Sequence, residues 1–416
     1  MERCVEPSVV KGQIKAPSSK SMTQRAIAAA LLADGQSTIF NPSYCDDSLA
    51  AMSIALGLGA KLEPKPGELI IKGARVLKEE KLNCGESGLA IRMFSPIAAL
   101  YPAEITMVGA NSLKNRPMGM IEEALSQLGV KCTSSGGFLP LTIQGPIIGG
   151  NCEIDGSVSS QLLTGLLVAL PLAEKDSVIK VRNLKSKPYI DMTIQLLRTF
   201  GITIDCTDYE TFNIPGKQEY TPRKYTVESD WSGGAFLLVA GAINGNLLVQ
   251  GLRTDSKQSD MAVIGALEKA GAKMNIREDQ IGISKSALKA FEFDATESPD
   301  LFPPLVALAA YSEGISTIKG VSRLIYKESD RAKALKEEFG KMNINIEISG
   351  DLMNVTGGRP AGAHVESHDD HRIAMAVAVA ALGASGKVNI RDSQCVAKSY
   401  PGFFDDLRHL GATVRE

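Results

Sequence analysis

A phrase recurs six times along the 416 residues: a helix-like stretch ends at a glycine, a small or branched apolar residue follows, and an alternating strand pattern begins. It is spelled LGAKLEP, LGVKCTS, FGITIDC, AGAKMNI, MNINIEI and LGATVRE, pivoting on Gly59, Gly129, Gly201, Gly271, Asn343 and Gly411. The pivots are 70, 72, 70, 72 and 68 residues apart, a period that points to one structural unit copied six times. A helix commonly stops on a left-handed residue, which glycine adopts without a Cβ clash and asparagine tolerates next best. After each of the first five pivots a second alternating segment follows a polar turn (ELIIKG, FLPLTIQG, TFNIPG, QIGISK, LMNVTGG), so each unit closes in a strand pair. A βαβαββ stretch of ordinary length would also span about 70 residues, but chance would then have to repeat the junction chemistry six times.

The stretches SGLAIRMFSPIAAL and SSQLLTGLLVAL are apolar on nearly every side, which predicts buried helices with sheets wrapped around them. A chain of 416 residues exceeds one ordinary core. Three units per domain then put the seam in TPRKYTVESDWSGG, giving a first domain at 16–225 and a second that includes 226–416. The opening strand pattern CVEPSVVKGQIKA is compatible with membership of the second domain, which the residues alone leave open.

Charge is nearly balanced, 45 Lys plus Arg against 47 Asp plus Glu, which argues against a broad basic face for nucleic acid. The seven cysteines form no CxxC pair, as expected of reduced thiols in a cytosolic protein. MERCVEPSVV has no apolar signal core and no run approaches a membrane span, so the expectation is a soluble, cytoplasmic protein.

Chemistry-bearing residues collect at predicted helix starts. In KAPSSKSMTQRA, Lys20, Ser21 and Arg25 open a helix running to about Leu32, where Ser18, Ser19 or Ser21 serves as cap; the dipole attracts an anion, though a capped helix with solvated cations explains the stretch as well. NCGESGLAIR offers Gly85 and Gly88 for close backbone approach and an Arg92 that needs a partner in so apolar a helix. NSLKNRPMG presents Lys114 and Arg116, with Pro117 at an expected first helical position. GSVSSQLLTGLL carries Ser157, Ser159, Ser160 and Gln161, neutral groups suited to a polyhydroxylated ligand, and SKPYID adds Ser186 and Tyr189. Asp300 in SPDLFPP is placed to cap a helix or act as a base. YKESDR groups Lys327, Glu328, Asp330 and Arg331, a pattern shared with surface ion-pair runs. HVESHDDHR brings His364, His368 and His371 beside Arg372, at spacings that a metallohydrolase would also use, and CVAKSYPGFF adds Lys398. Helix starts rich in polar groups occur in both halves, so two domains facing across a cleft would focus cations and dipoles on an anionic ligand pair despite the net charge of −2.

With KAPSSKSMTQRA, ESGLAIR, KNRPMG, SSQLLT, SKPYID, SPDLFPPL, KESDR, DDHRIAMA and CVAKSYPGFF in this order, the chain resembles the 3-phosphoshikimate 1-carboxyvinyltransferase (EPSP synthase) family over nearly its whole length. The resemblance implies an inside-out α/β barrel: two similar domains of three βαβαββ repeats, helices inside, joined by a double crossover that assigns 1–15 to the second domain. It implies transfer of the enolpyruvyl group of phosphoenolpyruvate to the 5-hydroxyl of shikimate 3-phosphate in aromatic amino-acid biosynthesis, with release of phosphate, by a monomer needing no metal or organic cofactor. By the same resemblance Lys20, Ser21, Arg25, Ser159, Ser160, Gln161, Ser186, Asp300 and Lys327 would bind shikimate 3-phosphate. Lys20, Gly88, Arg116, Gln161, Arg331, Arg372 and Lys398 would surround phosphoenolpyruvate. Asp300 would take the hydroxyl proton, Glu328 would protonate the methylene carbon, and Lys20 would contribute to catalysis between the two substrates. Glu86, Leu89 and Arg323 depart from residues common in the family, which bears on loop detail and inhibitor response. The sister family, UDP-N-acetylglucosamine enolpyruvyl transferase, usually carries a reactive cysteine where this chain has Asn111.

Overall fold

The computed structural model describes residues 1–325 and 327–416. All six pivots take the left-handed backbone, with φ of 109° at Gly59, 81° at Gly129, 88° at Gly201, 80° at Gly271, 62° at Asn343 and 97° at Gly411. In each case the next residue's N–H reaches back five positions: Ala60 to the Ala55 carbonyl, Val130 to Leu125, Ile202 to Leu197, Ala272 to Leu267, Ile344 to Phe339 and Ala412 to Leu407, at 2.9–3.0 Å. This is the Schellman closure, and it explains why the residue after the pivot is apolar: it folds back onto the helix it has just left.

The helices are α1 (Lys20–Leu32), α2 (Asp46–Gly57), α3 (Gly88–Ala98), α4 (Gly119–Gln127), α5 (Gln161–Ala169), α6 (Lys187–Thr199), α7 (Trp231–Asn244), α8 (Val263–Lys269), α9 (Phe302–Ala309), α10 (Arg331–Lys341), α11 (His371–Ala381) and α12 (Phe403–His409). They alternate in character. Every residue of α3, α9 and α11 is buried, and α1, α5 and α7 are nearly so. The even-numbered helices run into the six pivots and leave one face in solvent, as the amphipathic stretches predict.

Two compact units result, one of Ser18–Val227 and one of Met1–Pro17 with Glu228–Glu416. Each contains three four-stranded sheets. In a complete repeat the first two strands are parallel across a buried helix, and the last two form a hairpin that adds antiparallel. Thus Lys81–Asn83 pairs with Glu104–Val108, which pairs with Phe138–Gln144, which pairs with Lys131–Ser135. Alternation sends Ile105, Met107, Leu141 and Ile143 inward onto α3 and its neighbours.

Two repeats are completed from a distance. The first has no strand ahead of α1 within its unit, and Lys224–Thr226 fills that place by pairing parallel with Gln36–Phe40. The sixth ends at Val414–Arg415 without a final strand. Glu2–Val5 inserts there, with Val5 opposite both Val388 and Val414. Val10–Lys15 then pairs parallel with Gly245–Gln250, so the N-terminal strands belong to two sheets of the second unit. The chain passes between units twice, after Pro17 and after Val227.

Candidate active site

In the unit Ser18–Val227 the starts of α1, α3 and α5 carry the predicted residues. Ser19 caps α1, its hydroxyl accepting from the Met22 N–H at 3.4 Å, which leaves Lys20 and Ser21 as the first helical residues. Lys20 Nζ lies 2.9 Å from Asp47 Oδ2. Arg25 is buried, and its fork is held rigidly: Nε donates to Thr193 Oγ1 at 2.9 Å, Nη1 to the Ser21 carbonyl at 2.9 Å and Nη2 to Thr164 Oγ1 at 3.3 Å. Burial pushes the guanidinium down to about 10, with Tyr189 and Tyr225 opposing. Arg25 therefore spends three donors on neutral partners, so a full cation sits in the protein without a bonded carboxylate among these contacts, a state that suits an anionic ligand.

Ser87 caps α3 by accepting from the Ala90 N–H, so Gly88 is its first residue. A Cβ at position 88 would lie 2.6 Å from Arg116 Nη1 and 3.1 Å from Arg92 Nη1. Arg92 donates from Nη1 to Gln161 Oε1 at 2.9 Å, so its partner here is a neutral amide. Glu86 accepts from Asn111 Nδ2 at 2.9 Å and Ser112 Oγ at 3.1 Å, fastening the 111–116 segment beside α3. Gly88, Arg92, Arg116 and Gln161 thus converge, although three separate stretches of sequence supply them.

Three details of these helix starts complete the description. Pro117 is not at the first position of a helix: α4 begins at Gly119, and Met118 precedes it. None of the serines before α5 caps it through its side chain; Ser160 occupies the cap position, and Ser159 Oγ instead accepts from the Gln161 N–H at 3.1 Å. Asp300 does not occupy the cap position of α9, which starts at Phe302 with Leu301 ahead of it. Ser186 has φ 57°, a left-handed entry into α6.

In the second unit the KESDR segment is not a surface ion-pair run. Arg331 is fully buried, and its guanidinium bonds three carboxylates: Nη1 to Asp300 Oδ1 at 2.9 Å, Nη2 to Glu328 Oε2 at 2.6 Å and Nε to Asp370 Oδ2 at 3.0 Å. Burial alone would lower its pKa, but Asp370, Glu328 and Asp300 raise it well above the usual value. Asp300 collects two more cations, Lys327 Nζ at 3.1 Å and Arg372 Nη2 at 3.0 Å. Burial lowers the Lys327 ammonium, partly opposed by Asp300. Lys398 donates to the Asp369 carbonyl at 2.7 Å and pairs with its carboxylate at 2.8 Å. Several partners escaped sequence reasoning: Asp47, Thr164, Thr193 and Asp370. Only Asp370 left a signal, an aspartate directly before an apolar helix, and it indeed caps α11 by accepting from the Arg372 N–H at 2.9 Å.

The three histidines of HVESHDDHR go separate ways. His364 lies against Asn389, His368 bonds Glu338 at 2.6 Å, and His371 is buried at the start of α11. Among the described residues the one group of candidate metal donors is Glu337, Glu338 and His368, which contains a single member of the trio.

A chain of two units, each with three βαβαββ repeats around buried helices whose polar starts carry Lys and Arg, has the architecture of the enolpyruvyl transferases. An EPSP synthase structure from Acinetobacter baumannii superimposes with a TM-score of 0.82 at 27% identity over 100% of both chains. An enolpyruvyl transferase from Streptomyces tendae shares the fold, with a TM-score of 0.81 at 18% identity, covering 100% of this chain and 98% of that one. The 3-phosphoshikimate 1-carboxyvinyltransferase of Thermococcus kodakarensis is 39% identical over 96% of this chain and 98% of its own length. That of Methanocorpusculum labreanum is 38% identical over 100% of both. The sequence profile of the EPSP synthase (3-phosphoshikimate 1-carboxyvinyltransferase) family matches residues 5–407.

The chain belongs to the EPSP synthase family and is a transferase. Its activity is enolpyruvyl transfer from phosphoenolpyruvate to shikimate 3-phosphate in aromatic biosynthesis, and neither the UDP-N-acetylglucosamine nor the metallohydrolase alternative is favoured.

Proposed function

We propose that the residues singled out above divide the reaction as follows. Arg25 with Ser21, Ser159, Ser160, Gln161, Ser186 and Lys20 binds shikimate 3-phosphate, together with Asp300 and Lys327. Lys20, Gly88, Arg116, Gln161, Arg331, Arg372 and Lys398 receive phosphoenolpyruvate. Two phosphates and a carboxylate bring roughly four to five negative charges, which calls for a cation set of this size. Asp300 takes the proton from the 5-hydroxyl, Glu328 protonates the methylene carbon, and Lys20 steadies charge between the substrates.

The observation that carries this reading is the triple salt link of Arg331 to Asp300, Glu328 and Asp370. Protonating an enol ether carbon and deprotonating a hydroxyl require an acid and a base in one site with separate settings. Asp300 has Lys327, Arg331 and Arg372 around it, which makes it the candidate for the base. Incoming phosphate and carboxylate groups compete for those cations and release the two side-chain carboxyl groups for proton transfer. The atoms balance without a redox or metal step: Glu328, protonated from solvent once its link to Arg331 is broken, gives its proton to the methylene carbon and takes one back when the adduct's methyl group is deprotonated, while the 5-oxygen forms the new C–O bond, its proton passes to Asp300 and leaves with the phosphate, and the phosphate C–O bond breaks.

The protein works as a monomer in the cytoplasm, with small-molecule substrates and no nucleic acid partner. The balance of 45 Lys plus Arg against 47 Asp plus Glu argues against a nucleic acid partner, and no helix among the described residues is long and apolar enough to cross a membrane. The test is release of inorganic phosphate from phosphoenolpyruvate with shikimate 3-phosphate, in chelator and without added metal. A parallel arm offers UDP-N-acetylglucosamine. Release only with the first acceptor is expected; binding of both substrates without release overturns the assignment.

A further inference from the structure

Two successive residues without glycine's freedom, His368 and Asp369, hold left-handed backbone at φ 52° and 54° in the loop before α11. Such a conformation is disfavoured for any residue bearing a Cβ, and a consecutive pair persists only where the surroundings over-determine it. Three ties do so. The Asp369 carbonyl and carboxylate both hold Lys398. The Asp370 carboxylate holds Arg331 and Ser329 and caps α11. The third tie faces the other way: His368 Nε2 meets Glu338 Oε1 at 2.6 Å. Glu338 is fully buried on α10, where it also bonds Lys341 Nζ at 2.9 Å through both oxygens and accepts from the Glu366 N–H at 2.8 Å.

The salt links within the first two ties involve cations that the proposed function assigns to phosphoenolpyruvate, so those links compete with substrate. The third does not depend on substrate. We propose that the His368–Glu338 pair is a positioning device for the phosphoenolpyruvate subsite, pinning the 367–370 loop in its left-handed form so that Asp369 and Asp370 keep Lys398 and Arg331 aimed. His368 is a positioning residue here, since it touches none of the reacting groups. The inference rests on the proposed residue assignment for phosphoenolpyruvate.

Glycine separates this role from any direct effect of the ring. His368→Ala removes the pin but keeps the Cβ penalty, so the loop relaxes. His368→Gly removes the same pin and the penalty together, leaving the left-handed form accessible. His368→Asn keeps a residue that tolerates this backbone. The experiment is steady-state phosphate release by each full-length variant, with KM measured for both substrates and melting temperature recorded. Alanine is expected to raise KM for phosphoenolpyruvate about tenfold, the order of factor a left-handed non-glycine residue carries. KM for shikimate 3-phosphate should move much less, and glycine and asparagine should stay within about threefold of wild type on the same grounds. Equal KM values for alanine and glycine, raised or unchanged, overturn the proposal, as does a glycine variant worse than alanine. If the alanine protein does not fold, His368→Ser takes its place in the comparison. A wild-type chain that releases no phosphate would refute the underlying function instead, so the two failures are distinguishable.

Discussion

Gly88→Ala should lower activity while leaving stability nearly unchanged. Gly88 is the first residue of α3 and is not in a left-handed conformation, so the backbone accepts alanine without strain. Alanine within a helix is favoured over glycine by up to about 1 kcal/mol. The added Cβ would lie 2.6 Å from Arg116 Nη1, 3.1 Å from Arg92 Nη1 and 3.6 Å from Gln161 Oε1. Both close atoms are the far ends of flexible side chains, so the contact is relieved by moving Arg116 on the order of 1 Å rather than by shifting α3. The fold should therefore lose nothing, and the melting temperature should stay within about 3 °C of wild type. The site loses the aim of one cation. A hydrogen bond to a charged group contributes about 1.5–3 kcal/mol, so kcat/KM for phosphoenolpyruvate should fall roughly tenfold to hundredfold. Phosphate release against each substrate, with differential scanning fluorimetry on the same samples, makes the comparison. A fall in melting temperature with kcat/KM unchanged would refute the argument, since it would make Gly88 a packing residue.

Other substitutions test the remaining supports. Arg331→Met leaves Asp300, Glu328 and Asp370 without their shared cation; breaking so buried an ion pair typically costs about 3–5 kcal/mol, so a melting temperature lower by roughly 10 °C and loss of turnover are expected. Arg25→Lys keeps the charge but cannot serve Thr193, Thr164 and the Ser21 carbonyl together, so KM for shikimate 3-phosphate should rise about tenfold or more in initial-rate assays while that for phosphoenolpyruvate changes little. Asp260 is buried against Ser232 and Ser259, and burial, with Asp300 adding and Arg372 opposing, raises its pKa to about 6. A carboxyl raised on folding favours the folded state below its unfolded value, and that advantage disappears as pH climbs through about 6. Asp260→Asn should therefore melt higher than wild type at pH 8 by the equivalent of ~1–3 kcal/mol, with the gap closing toward pH 4; a gap that does not depend on pH refutes the assignment.

What the sequence made legible follows from the range over which each interaction acts. The six junctions are local: each depends on a pivot and the residues within five positions of it, so Gly59 or Asn343 could be recognised from its neighbours alone. The completion of the first and sixth repeats is not local, because Val5 opposite Val414 joins positions about 400 apart, and nothing in CVEPSVVKGQIKA names its partner. The site divides in the same way. Cations were visible as types at helix starts, whereas what holds them was not: Thr164 and Thr193, the partners of Arg25, sit inside helices and resemble ordinary core polar residues.

The same distinction applies to charge. KESDR has the composition of a solvated run, and only its burial reveals that Arg331 is saturated by Asp300, Glu328 and Asp370. The Arg331 guanidinium is engaged by three carboxylates at once, so an anionic ligand that approaches it competes with Asp300, Glu328 and Asp370. On the proposed assignment, anionic ligands displace Asp300 and Glu328 from it, leaving Asp300 as a base and Glu328, once it has taken up a proton, as an acid. On that assignment binding and proton transfer are coupled through one side chain. This coupling predicts that Arg331→Lys, which keeps the charge but loses the three-way fork, lowers kcat more than it raises KM for either substrate. Initial-rate measurements that show the loss in KM alone would mean that Arg331 only binds.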